Sequence, residues 1–355
     1  MSVYETSPRP GPIVLFGSGE TSTTGRRVFD WLFSTMREPP RVAILETPAG
    51  FEPNSARVAG RIADFLCERL QNYEPVVQVV PARRRGTTHS PDDMELARAV
   101  LRANVIFLGP GSPSYTARQL QDSTVWHALR ARHWLGASLV LASAAAIAVG
   151  QQVLPVYEIY KAGADLHWIH GLDLLAAFGL SLTVVPHWDN TDGGSELDTS
   201  RCFMGHDRFQ YLRRLLPSDA TVVGIDEHTA LVLDVAAGRG HVLGRGGVTV
   251  QRAGRQQQLA SGASCDLAVF GDFHMPGQLD DVPPVLWTEA FETTSSSGSA
   301  EAPALVEALS RQRQQARLQH DWAEADVLRS EIEALGWHVQ DTSDGPVLTR
   351  TEQLP

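Results

Sequence analysis

Cysteine is scarce in this sequence. Cys67, Cys202 and Cys265 are the only three in 355 residues, and no two form a C-x-x-C pair. Such spacing offers neither a disulfide framework nor a zinc-ligand signature, and it fits a reducing compartment. Excess positive charge is also missing. The net charge is −11 and the pI near 5.5, which argues against a general binder of nucleic acid or of membrane surfaces. No apolar run reaches the length of about 20 residues that a bilayer span needs. The opening residues MSVYETSPRPGP lack the apolar core of a secretory signal, so a cytoplasmic protein is expected. GSGETSTTG (Gly17–Gly25) has two close glycines, but it is neither a dinucleotide fingerprint nor a phosphate loop, because no lysine follows Gly25. No internal repeat is present, and no cofactor or metal is expected. What is there is a soluble, globular composition, 43% apolar and 20% charged, long enough for more than one domain.

The first half alternates short β-rich runs with helical patterns. The runs are PIVLFGSG (Pro12–Gly19), RVAILETPAG (Arg41–Gly50), PVVQVVPA (Pro75–Ala82), ANVIFLGPGSP (Ala103–Pro113) and ASLVLASA (Ala137–Ala144). Between them TGRRVFDWLFSTM, NSARVAGRIADFLCERL, SPDDMELARAVL and SYTARQLQDSTVWHALRAR are amphipathic at helical spacing. Ser90 opens the third of these as its expected N-cap. Alternation of this kind predicts an α/β fold, a mostly parallel sheet covered by helices on both faces. Ligands bind such sheets beyond the carboxyl ends of the strands. LSLTVVPHWDNTDGG (Leu180–Gly194) is a further strand ending in a polar loop, and a β-rich tail follows. We therefore expect a main domain over 1–281, a Pro/Ser/Thr/Gly-rich linker over 282–304, and a small C-terminal module over 305–355 with two helices and a hairpin.

Serine hydrolysis needs a nucleophile, a base, an acid that orients the base, and donors for the oxyanion. Ser143 follows an apolar strand and precedes three alanines, the pattern of a strand that turns sharply into a helix. His187 ends another apolar strand, in VVPHWDN, and is expected at the same sheet edge. GPGSP (Gly109–Pro113) ends a third strand, so the N–H groups of Gly111 and Ser112, with that of Ala144 after the serine, are the candidate oxyanion donors. Two acids compete for the third place: Glu227 in GIDEHTALV and Glu158 in LPVYEIY. The polar loop after His187 supplies Asp189, Asn190, Arg201 and Arg208 as candidate substrate-binding groups, the two arginines being suited to hold a carboxylate through forked hydrogen bonds. An internally paired loop explains the same residues equally well.

Taken together, FGSGE, IFLGPGSPSYTARQL, the serine after the fifth strand, PHWDN and GIDEHTALVLD resemble the dipeptidase E and cyanophycinase family of serine peptidases, over most of residues 11–275. The resemblance implies a flavodoxin-like, class I glutamine amidotransferase-like fold and a small peptide or amide substrate, with acidic peptides favoured. It matches Ser143 to the nucleophile, His187 to the base, and Gly111 and Ser112 to the oxyanion loop. Glu227 matches the acid of cyanophycinases and Glu158 falls near that of dipeptidase E; GIDEHTA is the closer motif. The sequence departs from the family at the elbow. Where the family reads G-x-S-A-G-A, this chain reads Leu141-Ala142-Ser143-Ala144-Ala145-Ala146. Leu141 has to place a side chain where the family has only hydrogen, so a distorted elbow and a weakened or non-catalytic binding protein is the competing expectation.

The last fifty residues carry a second resemblance. SRQRQQARLQHDWAEADVLRSEIEALGWHVQDTSDGPVL is similar to the C-terminal end of cysteinyl-tRNA synthetases. Nothing upstream reads H-I-G-H or K-M-S-K-S, so synthetase activity is not implied. Arg311, Arg313, Arg317 and Arg329 suit RNA, but eight acidic residues from Glu307 to Asp344 oppose it, which favours a protein-docking module over an RNA-linked one. Trp322, Ala325, Leu328, Ile332 and Leu335 form its expected core stripe. A homodimer is compatible with the sequence.

Overall fold

The five apolar runs become the parallel half of one large sheet. In the computed structural model, which describes residues 9–279, 281–298, 304–319, 321–342 and 345–350, β1 (Ile13–Phe16), α1 (Thr23–Ser34), β2 (Arg41–Leu45), α2 (Ser55–Arg69), β3 (Val76–Val80), α3 (Met94–Leu101), β4 (Val105–Leu108), α4 (Pro113–Leu120), α5 (Thr124–Trp134) and β5 (Ser138–Ala142) follow in turn. Side-chain caps begin α1, α3, α4 and α5. Ser22 accepts from the Gly25 N–H, Ser112 from Tyr115 with Pro113 at the first helical position, and Ser123 from Trp126. At α3 the cap is Asp93, whose carboxylate accepts the Glu95 N–H; Ser90, the expected cap, instead accepts the Asp92 N–H in the preceding turn. The stretch after β4 is two helices rather than one, broken where Asp122 takes a positive φ of 55°.

The chain continues with α6 (Ala144–Ala148), β6 (Gln152–Val153), β7 (Ile169–His170), β8 (Leu182–Val185), α7 (Gly205–Leu215), β9 (Thr221–Ile225), β10 (Thr229–Asp234), β11 (Arg239–Gly244), β12 (Gly247–Arg252), β13 (Arg255–Ala260) and β14 (Ser264–Asp266). The β-rich tail does two jobs. β10, β11 and β14 extend the main sheet antiparallel, in the order β14-β11-β10-β1-β5-β4-β2-β3. The rest forms a second sheet, β13-β12-β9-β8, with β8 and β9 parallel. The strand leading to His187 thus belongs to the second sheet.

Alternate residues of the main sheet feed two cores, as a sheet covered on both faces requires. Val14, Phe16, Ile44, Phe107 and Val140 pack with Phe29, Phe33 and Leu66 of α1 and α2. Leu15, Leu45, Leu108 and Leu141 pack on the other face with Leu129 of α5 and Val184 of β8.

Two compact units divide the chain, residues 1–290 and 291–355. The division falls inside α8 (Pro284–Gly298), so most of the stretch expected as a linker is helical; residues 299–303 of it lie outside the described residues. Burial overrides composition there, since Leu286 and Ala290 are fully enclosed. The C-terminal unit holds α9 (Ala304–Leu318), α10 (Trp322–Ala334) and the hairpin β15 (Trp337–Thr342) and β16 (Gly345–Arg350). Its core is Val306, Ile332, Trp337 and Val339. Ala325 and Leu328 are buried as expected, but Trp322 is 55% and Leu335 45% exposed. Trp322 opens α10 and lies under the Arg317 guanidinium, 5.5 Å from its ring centre, instead of entering the core. No described helix is long and apolar enough to cross a membrane.

Candidate active site

β5 ends on Ala142, and the chain reverses at Ser143 with φ 51° and ψ −111° before α6 begins. A non-glycine residue in that region is strained by about 1–3 kcal/mol and persists only where its surroundings impose it. Here the Ser143 N–H donates to Phe16 O of the neighbouring strand at 3.3 Å, and Ser143 O accepts from Ile147 at 3.2 Å. The distortion expected from Leu141 is not seen. Leu141 stands level with Leu15 of β1 and Leu108 of β4, and its side chain joins the fully buried core on that face. The space it needs comes from the core layer, whose other contributors at the turn are the small side chains of Ala145 and Ala146.

His187 arrives from the second sheet and meets this turn. Its own φ is 51°, and its N–H donates to Gly17 O of the β1 loop at 3.2 Å, which ties the two sheets together beside the serine. The Ser143 Oγ lies 2.9 Å from His187 Nε2, and His187 Nδ1 lies 3.0 Å from Glu227 Oε1. A carboxylate can only accept, so Nδ1 carries the proton and Nε2 is left to accept from the serine hydroxyl. The hydrogen bond from His187 holds the Glu227 carboxyl below its usual range, against the opposing effect of its burial, with Asn190 assisting.

Of the two candidate acids, Glu227 is the one joined to the histidine. Glu158 lies on a π-helical turn, Tyr157–Lys161, and accepts a hydrogen bond from the Ser114 hydroxyl. Its other oxygen is buried without a hydrogen-bond partner among the described residues. The oxyanion candidates also separate. The Ser112 N–H is already committed to Pro48 O at 2.9 Å, and the Ser112 hydroxyl caps α4. Gly111 and Ala144 line the cavity of 240 Å³ beside Ser143 and His187, and their N–H groups have no partner among the described residues. Gly111 has to be glycine. Its φ is +152°, and a Cβ would fall 1.9 Å from Pro48 O.

The four residues expected to read substrate serve the frame of the site. Asp189 accepts the Glu227 N–H at 2.6 Å, and the Asn190 side-chain amide donates to Glu227 Oε1 at 2.9 Å. Arg201 donates to Trp188 O at 2.7 Å and lies over the Trp188 ring at 4.0 Å. Arg208 donates to Met204 O and Phe203 O. The carbonyls of the tight 201–205 turn, where Arg201, Cys202 and Phe203 all have positive φ, take up the Arg208 guanidinium, whereas Arg201 reaches back to Trp188.

Sequence reasoning missed six residues around this site. Tyr157, Tyr160 and Lys161 line the cavity with Phe203, and their signal was only that they flank Glu158. Burial raises the carboxyl of Glu20 above its usual range, while the charges of His187 and His228 oppose the rise. Cys202, also on the cavity wall, is pushed up to about 12 by burial, so its thiol stays protonated and poorly nucleophilic. Among the described residues no cluster of three or more His, Cys, Asp or Glu side chains could hold a metal ion.

The fold has a solved counterpart. A peptidase from an acI-B1 Actinobacterium superposes with a TM-score of 0.59 and 22% identity, covering 74% of this chain and all of the other. A putative peptidase E from Listeria monocytogenes aligns with a TM-score of 0.42 at 14% identity, over 68% of this chain and 98% of that one. The first likeness shows the fold. Residues 299–345 match the cysteinyl-tRNA ligase anticodon binding domain. In the same region the cysteine–tRNA ligase of Methanosarcina mazei is 37% identical over 59 residues, 17% of this chain and 12% of that protein. The Rubrobacter xylanophilus enzyme is 44% identical over 52 residues, 15% and 11% of the two chains. This chain therefore spans only about an eighth of those ligases.

Proposed function

We propose that the protein is a serine hydrolase that cleaves a peptide or amide bond, with Ser143 as nucleophile, His187 as base and Glu227 as its orienting acid. The observation that carries this reading is the unbroken chain Ser143 Oγ to His187 Nε2 to Glu227 Oε1, at 2.9 and 3.0 Å, on a serine held at φ 51°. As Oγ attacks the substrate carbonyl carbon, its proton passes to Nε2, and Glu227 stabilises the imidazolium that results. The negative oxygen of the tetrahedral intermediate falls to the N–H groups of Gly111 and Ala144. The imidazolium then protonates the leaving amine, and water attacking the acyl-serine repeats the cycle. The peptidase named for the Actinobacterium structure favours a peptide among the amides this chemistry could cleave. No step requires a cofactor.

A fluorophosphonate probe with mass-spectrometric mapping tests this assignment. Ser143 of the full chain should be labelled, and the Ser143→Ala variant should not. An intact protein that leaves Ser143 unlabelled would favour a binding role for this fold.

The C-terminal unit calls for a separate reading. Its match to an anticodon-binding domain favours a docking function without chemistry of its own. Its surface carries apolar side chains, Leu318 at 77% and Val327 at 53% exposure, and its sequence holds eight acidic residues between Glu307 and Asp344. We read this mix as better suited to a protein partner than to RNA. A tRNA titration of the full chain checks this, with weak, nonspecific binding as the expected result.

A further inference from the structure

The cavity beside Ser143 has almost no charge on its wall. Apart from His187 itself, Lys161 is the one ionic side chain among the described residues that line it, and no arginine or carboxylate does. Lys161 is exposed, with its ammonium 6.0 Å from the Tyr160 ring centre, so it keeps its charge in water. The rest of the wall is largely apolar or aromatic: Pro113, Ile147, Val156, Tyr160, Cys202 and Phe203. Ile147, Val156 and Cys202 belong to the buried core on the α5 face of the main sheet, and Tyr160 and Phe203 pack against it. The wall is therefore the margin of a close-packed core and holds its shape.

A strained backbone puts two of these side chains in place. Arg201, Cys202 and Phe203 have φ of 56°, 57° and 66° in succession. L-residues visit this region singly and avoid runs of it, and such strain clusters at ligand clamps. Three bonds hold the run: Arg201 N–H to Trp188 O at 3.0 Å, Cys202 N–H to His187 O at 3.1 Å, and Phe203 N–H to Thr199 O at 3.0 Å. The run sets Cys202 and Phe203 on the cavity wall. The Phe203 ring touches the rings of both His187 and Tyr160, with centres 5.8 and 5.5 Å away. The cations of the same loop are turned elsewhere, since Arg201 and Arg208 are bound to backbone carbonyls.

We propose that this cavity is a specificity pocket for an uncharged, apolar side chain next to the scissile bond, with Ile147, Val156 and Phe203 as its selecting residues. The inference rests on the hydrolase reading for the scissile bond and on the wall alone for the preference. A carboxylate entering the pocket loses its water and meets at most one exposed ammonium, which leaves it poorly compensated. An apolar side chain gains by leaving water for the same wall. An apolar cavity of about 150 Å³ already accepts benzene, so 240 Å³ takes a leucine-sized side chain together with the reacting carbonyl. The pocket thus runs against the acidic preference that the family resemblance implies.

Binding to the full-length Ser143→Ala protein reads this preference without requiring turnover. The probes are the acetylated tripeptide amides Ala-Leu-Ala, Ala-Ala-Ala and Ala-Glu-Ala, followed by calorimetry. The leucine peptide should bind about tenfold more tightly than the alanine peptide, as a few methylenes in an apolar pocket allow, and the glutamate peptide no more tightly than alanine. The leucine preference should persist in added sodium chloride, whereas one resting on Lys161 weakens. Adding Val156→Phe should fill the pocket and remove the leucine preference without weakening Ala-Ala-Ala. Adding Phe203→Ala should enlarge it, so that Ala-Trp-Ala gains on Ala-Leu-Ala. With the wild-type chain, product masses tell whether the leucine lies on the acyl or the amine side of the cut. Equal affinities, tighter binding of the glutamate peptide, no binding by any of the three, or a leucine preference that neither variant alters would overturn the pocket. Ser143 labelling judges the hydrolase reading separately. Labelling without a leucine preference sinks the pocket alone, and a leucine preference without labelling sinks the hydrolase alone.

Discussion

The main unit and the C-terminal unit preserve different things. The main unit shares its fold with a solved structure at only 22% identity, and within this chain it holds a three-residue hydrogen-bond chain. The C-terminal unit shows sequence likeness to cysteinyl-tRNA ligases over a short stretch. In the main unit each reactive group is set by backbone: a strained turn for Ser143, a second strained residue for His187, and a side chain–backbone bond from Asp189 for the segment of Glu227. Those demands fall on backbone conformation at a few positions, among them Ser143, His187 and Gly111. The docking role proposed for the C-terminal unit would depend instead on the side chains it displays. Likeness in sequence and content of chemistry therefore separate between the two units.

The sharpest way to break this contrast is at the serine. Ser143→Ala should lower turnover of any substrate found by at least about 10⁴-fold, measured by steady-state kinetics. The next effect distinguishes the two acids. Glu227→Gln should cost about 10³- to 10⁴-fold in kcat, because His187 loses both the acceptor that fixes its tautomer and the charge that stabilises its cation. Glu158→Gln should cost less than about tenfold, since its bond is to Ser114 and not to the histidine. Reversed magnitudes would move the acid to Glu158. The hydrogen bond from His187 lowers the Glu227 carboxyl, and a group depressed in the folded state gives stability present above its unfolded value and lost as pH falls through its folded one. Thermal melts should therefore lose stability on the acid side of the ordinary glutamate range, and Glu227→Gln should flatten that limb.

Much of this was legible in the sequence because it follows from local rules. Apolar runs gave the five parallel strands, and their ends gave the edge at which Ser143 and Gly111 lie. The choice of Glu227 over Glu158 came from no local rule but from the resemblance of GIDEHTA to a family motif. What was not legible depends on tertiary partners. Nothing in LTVVPHWDN says that its strand pairs with β9 and not with the main sheet. Nothing in the GPGSP loop says that Pro48 takes the Ser112 N–H. The loss of the elbow glycine looked severe because Leu141 was judged against the glycine that the resembling family has there. Its true neighbours are Leu15 and Leu108 on adjacent strands, which leave it a core position. For Arg201 and Arg208 the sequence left substrate binding and internal pairing equally open, because the backbone carbonyls that take them up, of Trp188, Phe203 and Met204, are placed only by the fold.

The C-terminal unit offers a test in the other direction. Ile332 is fully buried against Val306, Trp337 and Val339. Ile332→Ala should destabilise that unit by about 2–4 kcal/mol, seen as earlier proteolysis or hydrogen exchange after residue 291. Labelling at Ser143 should not change. A parallel loss at both places would mean that the units fold as one, and that the separation of chemistry from docking is only apparent.

The smallest effect lies in the loop that holds the histidine's neighbours. Asp198 accepts from the Ser200 N–H at 2.9 Å and from the His206 N–H at 2.7 Å, where α7 begins. Bonds to Ser200 and His206 hold its carboxyl down at about 2. Because that value lies below the unfolded one, the ionised form contributes stability at neutral pH, and the contribution fades as pH falls toward about 2. Asp198→Asn should destabilise the protein by about 1 kcal/mol at pH 7, with a smaller difference at pH 3, read from denaturant midpoints at the two pH values. The turn that follows carries Cys202, whose N–H donates to His187 O at 3.1 Å. Loosening the loop should therefore slow Ser143 labelling severalfold as well as lower stability. If labelling keeps its rate while stability falls, the loop supports only the fold, and the histidine is held by its strand and by Gly17 alone.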